Sequence, residues 1–141
     1  MTPLFIDTGG FCAAFIREDR HHLLGAEVMR AAVSSGAALI TTNHVLGETY
    51  TLLRTRFDRP SAWRFRDAVD QSAAMEIVHV DEELERDAWE LLRKYADQSF
   101  SYVDATSFAL MRARRIRRAL AFDHHFAAAG FVRVPMDAPL G

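Results

Sequence analysis

Short apolar segments alternate with longer amphipathic ones along this chain, and that alternation limits the folds open to it. Leu4-Phe5-Ile6, Ala38-Leu39-Ile40-Thr41, Glu76-Ile77-Val78-His79-Val80, Leu120-Ala121-Phe122 and Val132-Arg133-Val134 read as strands. Between them lie segments of helical spacing: His22 to Ser35, closed by Gly36; Val45 to Arg56; a helix opening at Pro60 and running to about Ala74; one capped by Asp81 that carries Leu84, Ala88, Leu91, Leu92 and Tyr95; and Tyr102 to Arg114. Parallel strands need crossovers of about a dozen residues, which these helices supply, so the pattern predicts an α/β fold with a short parallel sheet and helices on both faces. With 141 residues, the chain is expected to form a single domain, 1–141.

Composition narrows the functional classes. Half of the residues are apolar, enough for a packed core. No apolar run approaches the roughly 18–20 residues of a membrane span, and the N-terminus lacks a basic leader, so the expectation is a cytoplasmic protein without a membrane anchor. Cys12 is the single cysteine, which fits a reducing compartment and reads as a small buried residue. The net charge of -2 excludes a polycation that coats nucleic acid, yet 16 of the 17 basic residues are arginine, the better phosphate binder. A GC-rich genome produces the same bias.

The acidic residues carry the chemistry. In open α/β sheets the ligand crevice lies beyond the carboxyl ends of the strands. Asp7 follows the first strand and Asp123 follows Leu120-Ala121-Phe122. Each also suits the cap of a following helix. Asp104 lies between Phe108 and Met111 on a helix that is apolar nearly all round; the alternative is a capping box with Ser101. Glu48 lies beside the apolar face of Val45 and Leu52, with Arg54 and Arg56 as possible ion-pair partners. Four such acids repel one another if they meet without a cation. All-oxygen donors select hard cations, Mg²⁺ or Mn²⁺, with Asp7 and Asp104 the direct ligands and the others acting through water. His44 and Glu48, four residues apart, offer a zinc pair without a well-spaced third ligand.

Phe5-Ile6-Asp7-Thr8, Glu48, Ser101-Tyr102-Val103-Asp104-Ala105 and Ala121-Phe122-Asp123-His124-His125-Phe126 together resemble the four acidic motifs of the PIN-domain ribonucleases. The resemblance is strongest to the VapC toxins of VapBC toxin–antitoxin pairs, and it spans nearly the whole chain. It implies a three-layer α/β/α sandwich whose acids cluster at one sheet edge around Mg²⁺ or Mn²⁺. It also implies endonucleolytic cutting of RNA, often transfer or ribosomal RNA, a homodimer, and silencing by a cognate antitoxin docked beside the acids. Asp7, Glu48, Asp104 and Asp123 fall on the family's acidic positions, and Thr8 falls where a small hydroxyl residue supports the site. Ala121 departs from the pattern, because many relatives carry Thr or Ser there.

A metal-assisted cut leaves a 5′-phosphate and a 3′-hydroxyl, with Glu48 or Asp123 positioning or deprotonating the attacking water. Basic groups must flank such a pocket. The densest run is Arg112, Arg114, Arg115, Arg117 and Arg118, a phosphate grip or a solvated helix end; Arg54, Arg56 and Arg59 form a smaller cluster. Phe11 and Phe15 suit core packing or contact with a base or a partner, and Asp97 reads as a loop acid. Other metal-acid folds fit less well: Asp7 lacks the second aspartate of a haloacid dehalogenase phosphatase, Lys94 is misplaced for a receiver domain, and no phosphate-binding glycine loop occurs. The competing class is a PIN-fold module that binds RNA or protein with little or no turnover.

Overall fold

The computed structural model describes residues 2–140. Their elements are β1 (Leu4–Ile6), α1 (Thr8–Phe15), α2 (His22–Ser34), β2 (Leu39–Thr42), α3 (Asn43–Arg56), α4 (Arg59–Gln71), β3 (Met75–Val78), α5 (Glu82–Lys94), α6 (Tyr102–Ala113), β4 (Arg118–Leu120), α7 (His124–Ala128) and β5 (Val132–Val134). The strands form one five-stranded sheet in the order β3-β2-β1-β4-β5, and every pair is parallel. Leu4, Phe5 and Ile6 are fully buried because β1 is central and covered on both faces. The edge strand β3 is only half-buried.

The strand order reverses beside β1: the chain builds outward through β2 and β3, then returns to place β4 on the other side of β1. Right-handed crossovers therefore put α1 to α4 on one face and α5 to α7 on the other, giving three layers. Aromatic packing follows this division. Phe11 of α1 meets Phe65 of α4 edge-on at 5.0 Å, while Phe108 of α6 meets Phe126 of α7 at 4.9 Å. The reversal opens a crevice at the carboxyl ends of β1 and β4, where ligands of such sheets bind.

Capping residues set several boundaries. Thr42 accepts a hydrogen bond from the Val45 amide, so α3 starts two residues earlier than its apolar spacing indicates. Asp81 caps α5 as expected, and Asp58 caps α4 with Pro60 in its first turn. Gly36, at φ +75°, follows α2 in the left-handed conformation that ends helices.

Three departures from the sequence reading have physical causes. β4 spans Arg118–Leu120 rather than Leu120–Phe122, because its ladder pairs Ala119 with Phe5 and Leu120 with Ile6 and ends where β1 ends. Ala121 and Phe122 then form a buried-to-half-buried connection, so the apolar run marked burial rather than pairing. Helix α1 went unassigned because Thr8-Gly9-Gly10 is a poor helix start. Helix α7 is five residues long, too short to show a period.

Gly10 in α1 carries a tight constraint. A Cβ there would lie 2.3 Å from the Leu120 carbonyl oxygen, a backbone atom, whereas one at Gly9 would meet nothing within 4 Å. The Leu120 carbonyl also accepts the Asp7 amide at 3.2 Å, so this contact sets the spacing of the crevice. We expect Gly10→Ala to destabilise the protein by about 1–3 kcal/mol, the usual cost of overpacking. Gly9→Ala should be neutral or stabilising by up to about 1 kcal/mol, from helix propensity. Urea-unfolding midpoints of the two variants check the contrast.

Candidate metal centre

Asp7 leaves β1 into the crevice and is 7% exposed. It occupies the position before α1, but its side chain makes no capping bond. Its carboxyl is pushed from 3.8 up to about 7, first by burial, then by Asp104, with smaller contributions from Glu48 and Asp123; the Thr8 amide opposes the shift. All three other candidate acids thus act on Asp7, as expected if one site gathers them.

Each of the remaining acids is anchored through one oxygen. Glu48, exposed in α3, accepts the Thr8 hydroxyl on Oε1 at 2.7 Å. Its partner is Thr8, not Arg54 or Arg56. The Thr49 hydroxyl lies 3.1 Å from that of Thr8, extending the support. Asp104 completes the capping box of α6: its amide donates to Ser101 Oγ at 3.0 Å and its Oδ2 accepts the Ser101 amide at 3.1 Å. The buried face from Ala105 to Met111 holds the helix in the core. Asp123 caps α7, its Oδ1 accepting the His125 amide at 2.9 Å. The capping reading therefore holds for Asp104 and Asp123, and it leaves a second oxygen open on each. Among the described residues, Glu48 Oε2, Asp104 Oδ1 and Asp123 Oδ2 have no hydrogen-bond partner, and no lysine or arginine pairs with any of the four acids.

His125 was missed in the sequence. Its Nδ1 lies 3.1 Å from Asp104 Oδ2 and 3.4 Å from Asp123 Oδ1, joining two acids from different elements. Adjacent residues do not face each other along a helix, so the sequence offers the His124-His125 pair no shared face. The rule fails at a cap, where the first turn folds back on the capping residue. Asp followed two residues later by His at a helix start was the available signal.

The remaining candidates sort by position. Arg112, Arg114 and Arg115 lie at the far end of α6, about 12 Å or more along its axis from Asp104 at 1.5 Å per residue. Arg112 donates to the Tyr95 hydroxyl at 3.0 Å and Arg114 to Glu76 at 2.8 Å, so the structure does not bring this run to the acids. His21 stacks on Phe122 at 4.2 Å, and Arg20 Nε contacts His21 at 3.1 Å, which brings a different cation to the loop that carries Asp123. Phe11 is core, Phe15 half-exposed, and Asp97 exposed. Cys12 is buried, with its thiol pushed up to about 11 chiefly by burial, so it is inert near neutral pH. His44 packs against Tyr102 at 5.7 Å. Among the described residues, the one group of three ligand types with atoms within 4.8 Å is Asp123, His124 and His125, so His44 and Glu48 gain no third zinc ligand.

The family model for the PIN domain matches residues 4–132. The chain belongs to the PIN-domain family, as a VapC-type ribonuclease. It is 40% identical over 131 residues to the 23S rRNA-specific endonuclease VapC20 of Mycobacterium tuberculosis, covering 93% of this chain and 97% of that protein. It is 32% identical over 124 residues to a VapC ribonuclease of Archaeoglobus fulgidus, covering 86% and 78%. The crystal structure of Mycobacterium tuberculosis VapC20, described as a sarcin–ricin-loop-cleaving toxin, matches the fold with a TM-score of 0.82 at 39% identity over 93% of this chain and 98% of that one. The PIN sandwich expected from the sequence is thus the fold observed, and PIN nucleases generally use a divalent metal ion. The donor chemistry here fits one: an all-oxygen set, short of cations, with one oxygen open on each of three carboxylates. Among the described residues, no helix of this PIN domain is long and apolar enough to cross a membrane.

Burial of Asp7 gives a signed pH effect. The unfolded chain releases this proton near 3.8 and the folded, metal-free chain near 7. Between those values the folded state holds the extra proton, so stability falls as pH rises and the loss is complete above about pH 7. At roughly 1.4 kcal/mol per unit the loss is on the order of 4 kcal/mol at most. Asp7→Asn removes it. Metal-free wild type and Asp7→Asn should melt alike near pH 4, with the variant increasingly the more stable up to pH 8, in thermal melts with chelator.

Proposed function

We propose that this PIN domain is a Mg²⁺- or Mn²⁺-dependent endoribonuclease that hydrolyses structured RNA of the ribosomal class, working as one domain in the cytoplasm and as the toxin of a toxin–antitoxin pair. The observation that carries the reading is the collective effect of Asp104, Glu48 and Asp123 on the buried Asp7 carboxyl, in a site without lysine or arginine partners among the described residues. A site of this kind is unfavourable as it stands and becomes favourable around a divalent ion. The ribosomal target is carried over from the relative that cuts 23S rRNA, in preference to transfer RNA. The cognate antitoxin and a homodimer follow from the VapC-type family.

Asp7 and Asp104 would hold the ion directly. When bound, it supplies Lewis acidity for the scissile phosphate and acidifies a coordinated water. The chain's own residues do the rest. Thr8 fixes one Glu48 oxygen at 2.7 Å, leaving Oε2 to orient the attacking water or take its proton. Asp123, 42% exposed at the mouth of the crevice, faces solvent and is placed to share that task. An open groove of about 760 Å³ runs from Glu48 between α3 and the start of α6, past His44, Leu52, Tyr102 and Val103, and offers RNA a path to the acids.

End-mapping of ribosomal and transfer RNA treated with purified protein tests the reading. Wild type with Mg²⁺ or Mn²⁺ should leave 5′-phosphate and 3′-hydroxyl ends. Chelation, Asp7→Asn and Asp104→Asn should each reduce cutting to background while circular dichroism stays native. RNA binding without cut ends would instead favour a module without turnover, and cyclic 2′,3′-phosphate ends would exclude the metal-assisted route.

A further inference from the structure

His125 is not one of the four acids, but it lies two residues after Asp123 in the last motif and touches two of them. Its Nδ1 sits between Asp104 Oδ2 at 3.1 Å and Asp123 Oδ1 at 3.4 Å. Its Nε2 lies 3.2 Å from Ser99 Oγ, in the loop just before α6. The ring packs edge-on against buried Phe100 at 5.3 Å, and the side chain is 13% exposed. The carboxylate assigns one hydrogen. A carboxylate only accepts, so Nδ1 donates toward Asp104, while the Ser99 hydroxyl, able to donate or accept, engages Nε2. Both ring nitrogens are thereby engaged, which leaves His125 no lone pair for a metal.

The contact has a consequence for the open oxygens. Asp104 Oδ2 takes both the Ser101 amide and His125, and Asp123 Oδ1 takes the His125 amide beside the same imidazole. One ring thus contacts one oxygen of each acid and leaves the other oxygen of each without a hydrogen-bond partner among the described residues. Asp104 and Asp123 lie 19 residues apart in sequence, and among the described residues no other side chain contacts both carboxylates.

We propose that His125 is a positioning residue that clamps Asp104 and Asp123 into one cation-binding geometry, with Ser99 holding the far side of its ring. The proposal rests on the reading of the acids as the metal centre. It also assigns a replacement for the hydroxyl support absent at Ala121: a ring from the following helix supports Asp123 where no side-chain hydroxyl is available two residues before it. Groups that orient ligands in this way typically change metal affinity by about 10- to 100-fold when removed.

The test is Mn²⁺ affinity, read by electron paramagnetic resonance on folded protein without RNA. Asp104→Asn tests the underlying reading and should abolish binding; if it binds Mn²⁺ like wild type, the metal-centre reading fails, whatever His125 does. With that control in place, His125→Phe keeps an aromatic ring against Phe100 but has no N–H, and should weaken Mn²⁺ binding by about 10- to 100-fold. His125→Asn retains a donor without the ring and should recover most of that loss. Ser99→Ala, at an exposed position, should weaken binding by a smaller factor, about threefold. If His125→Phe binds Mn²⁺ as wild type does, or if the Phe and Asn variants are equally impaired, the clamp is overturned and the ring serves packing alone.

Discussion

One buried carboxyl, that of Asp7 in the crevice beyond β1, is the constraint on which the candidate site depends. Burial above all, and after it the like charge of Asp104, pushes that carboxyl up to about 7, so a charged Asp7 opposes folding. The chain reduces the conflict in part. Asp7 precedes α1, and Asp104 lies in the first turn of α6, where the positive end of the helix dipole favours an anion. Asp104 and Asp123 accept backbone amides, and Glu48 accepts a threonine hydroxyl. Each device satisfies one oxygen and leaves another free. The anchoring bonds therefore set the geometry without neutralising the charge, and the residual repulsion is what a divalent cation would relieve.

The sheet explains why these four residues meet. The crevice opens where strand order reverses, between β1 and β4, and Asp7 stands at its floor. Glu48 reaches it from the second turn of α3, which begins directly at the end of β2. Asp104 arrives on α6, whose fully buried face ties it to the sheet, and Asp123 on the connection leaving β4. The Gly10–Leu120 approach brings α1 close to that connection. Core packing one turn beyond each acid, Phe108 against Phe126, thus ties the helix that carries Asp104 to the one that Asp123 caps.

Much of this was legible in the residues. The strand–helix alternation carries the parallel topology, because strands buried on both faces must be apolar runs and their crossovers must be amphipathic. Asp104 stood out because a carboxylate on an all-round apolar helix demands a partner. The readings that failed share one cause: they concern short-range geometry without a period. Helix α1 begins with two glycines and is held by tertiary contact, α7 is too short to repeat, and β4 is bounded by its neighbours' ladders rather than by its own hydrophobicity. His125 was hidden for the same reason, since its role arises from a capping turn and from a loop serine 26 residues upstream. The arginine run after α6 illustrates the converse. Its density is visible in sequence, but helix length alone carries it away from Asp104, and Glu76 and Tyr95 engage two of its members.

Capping and ligation, alternatives in the sequence for Asp104 and Asp123, are compatible in the structure because a carboxylate has two oxygens. A cap needs one acceptor, in a direction set by the helix, and that direction fixes where the second oxygen points. A metal-binding acid at a helix start is therefore oriented by the same bond that starts the helix. Loss of the carboxylate removes a ligand, whereas loss of the cap leaves the ligand present but misdirected. The two failures differ in kind: the first abolishes affinity, and the second loosens it while the charge remains. His125 belongs to the second class, since it supplies no carboxylate and acts on where two of them sit.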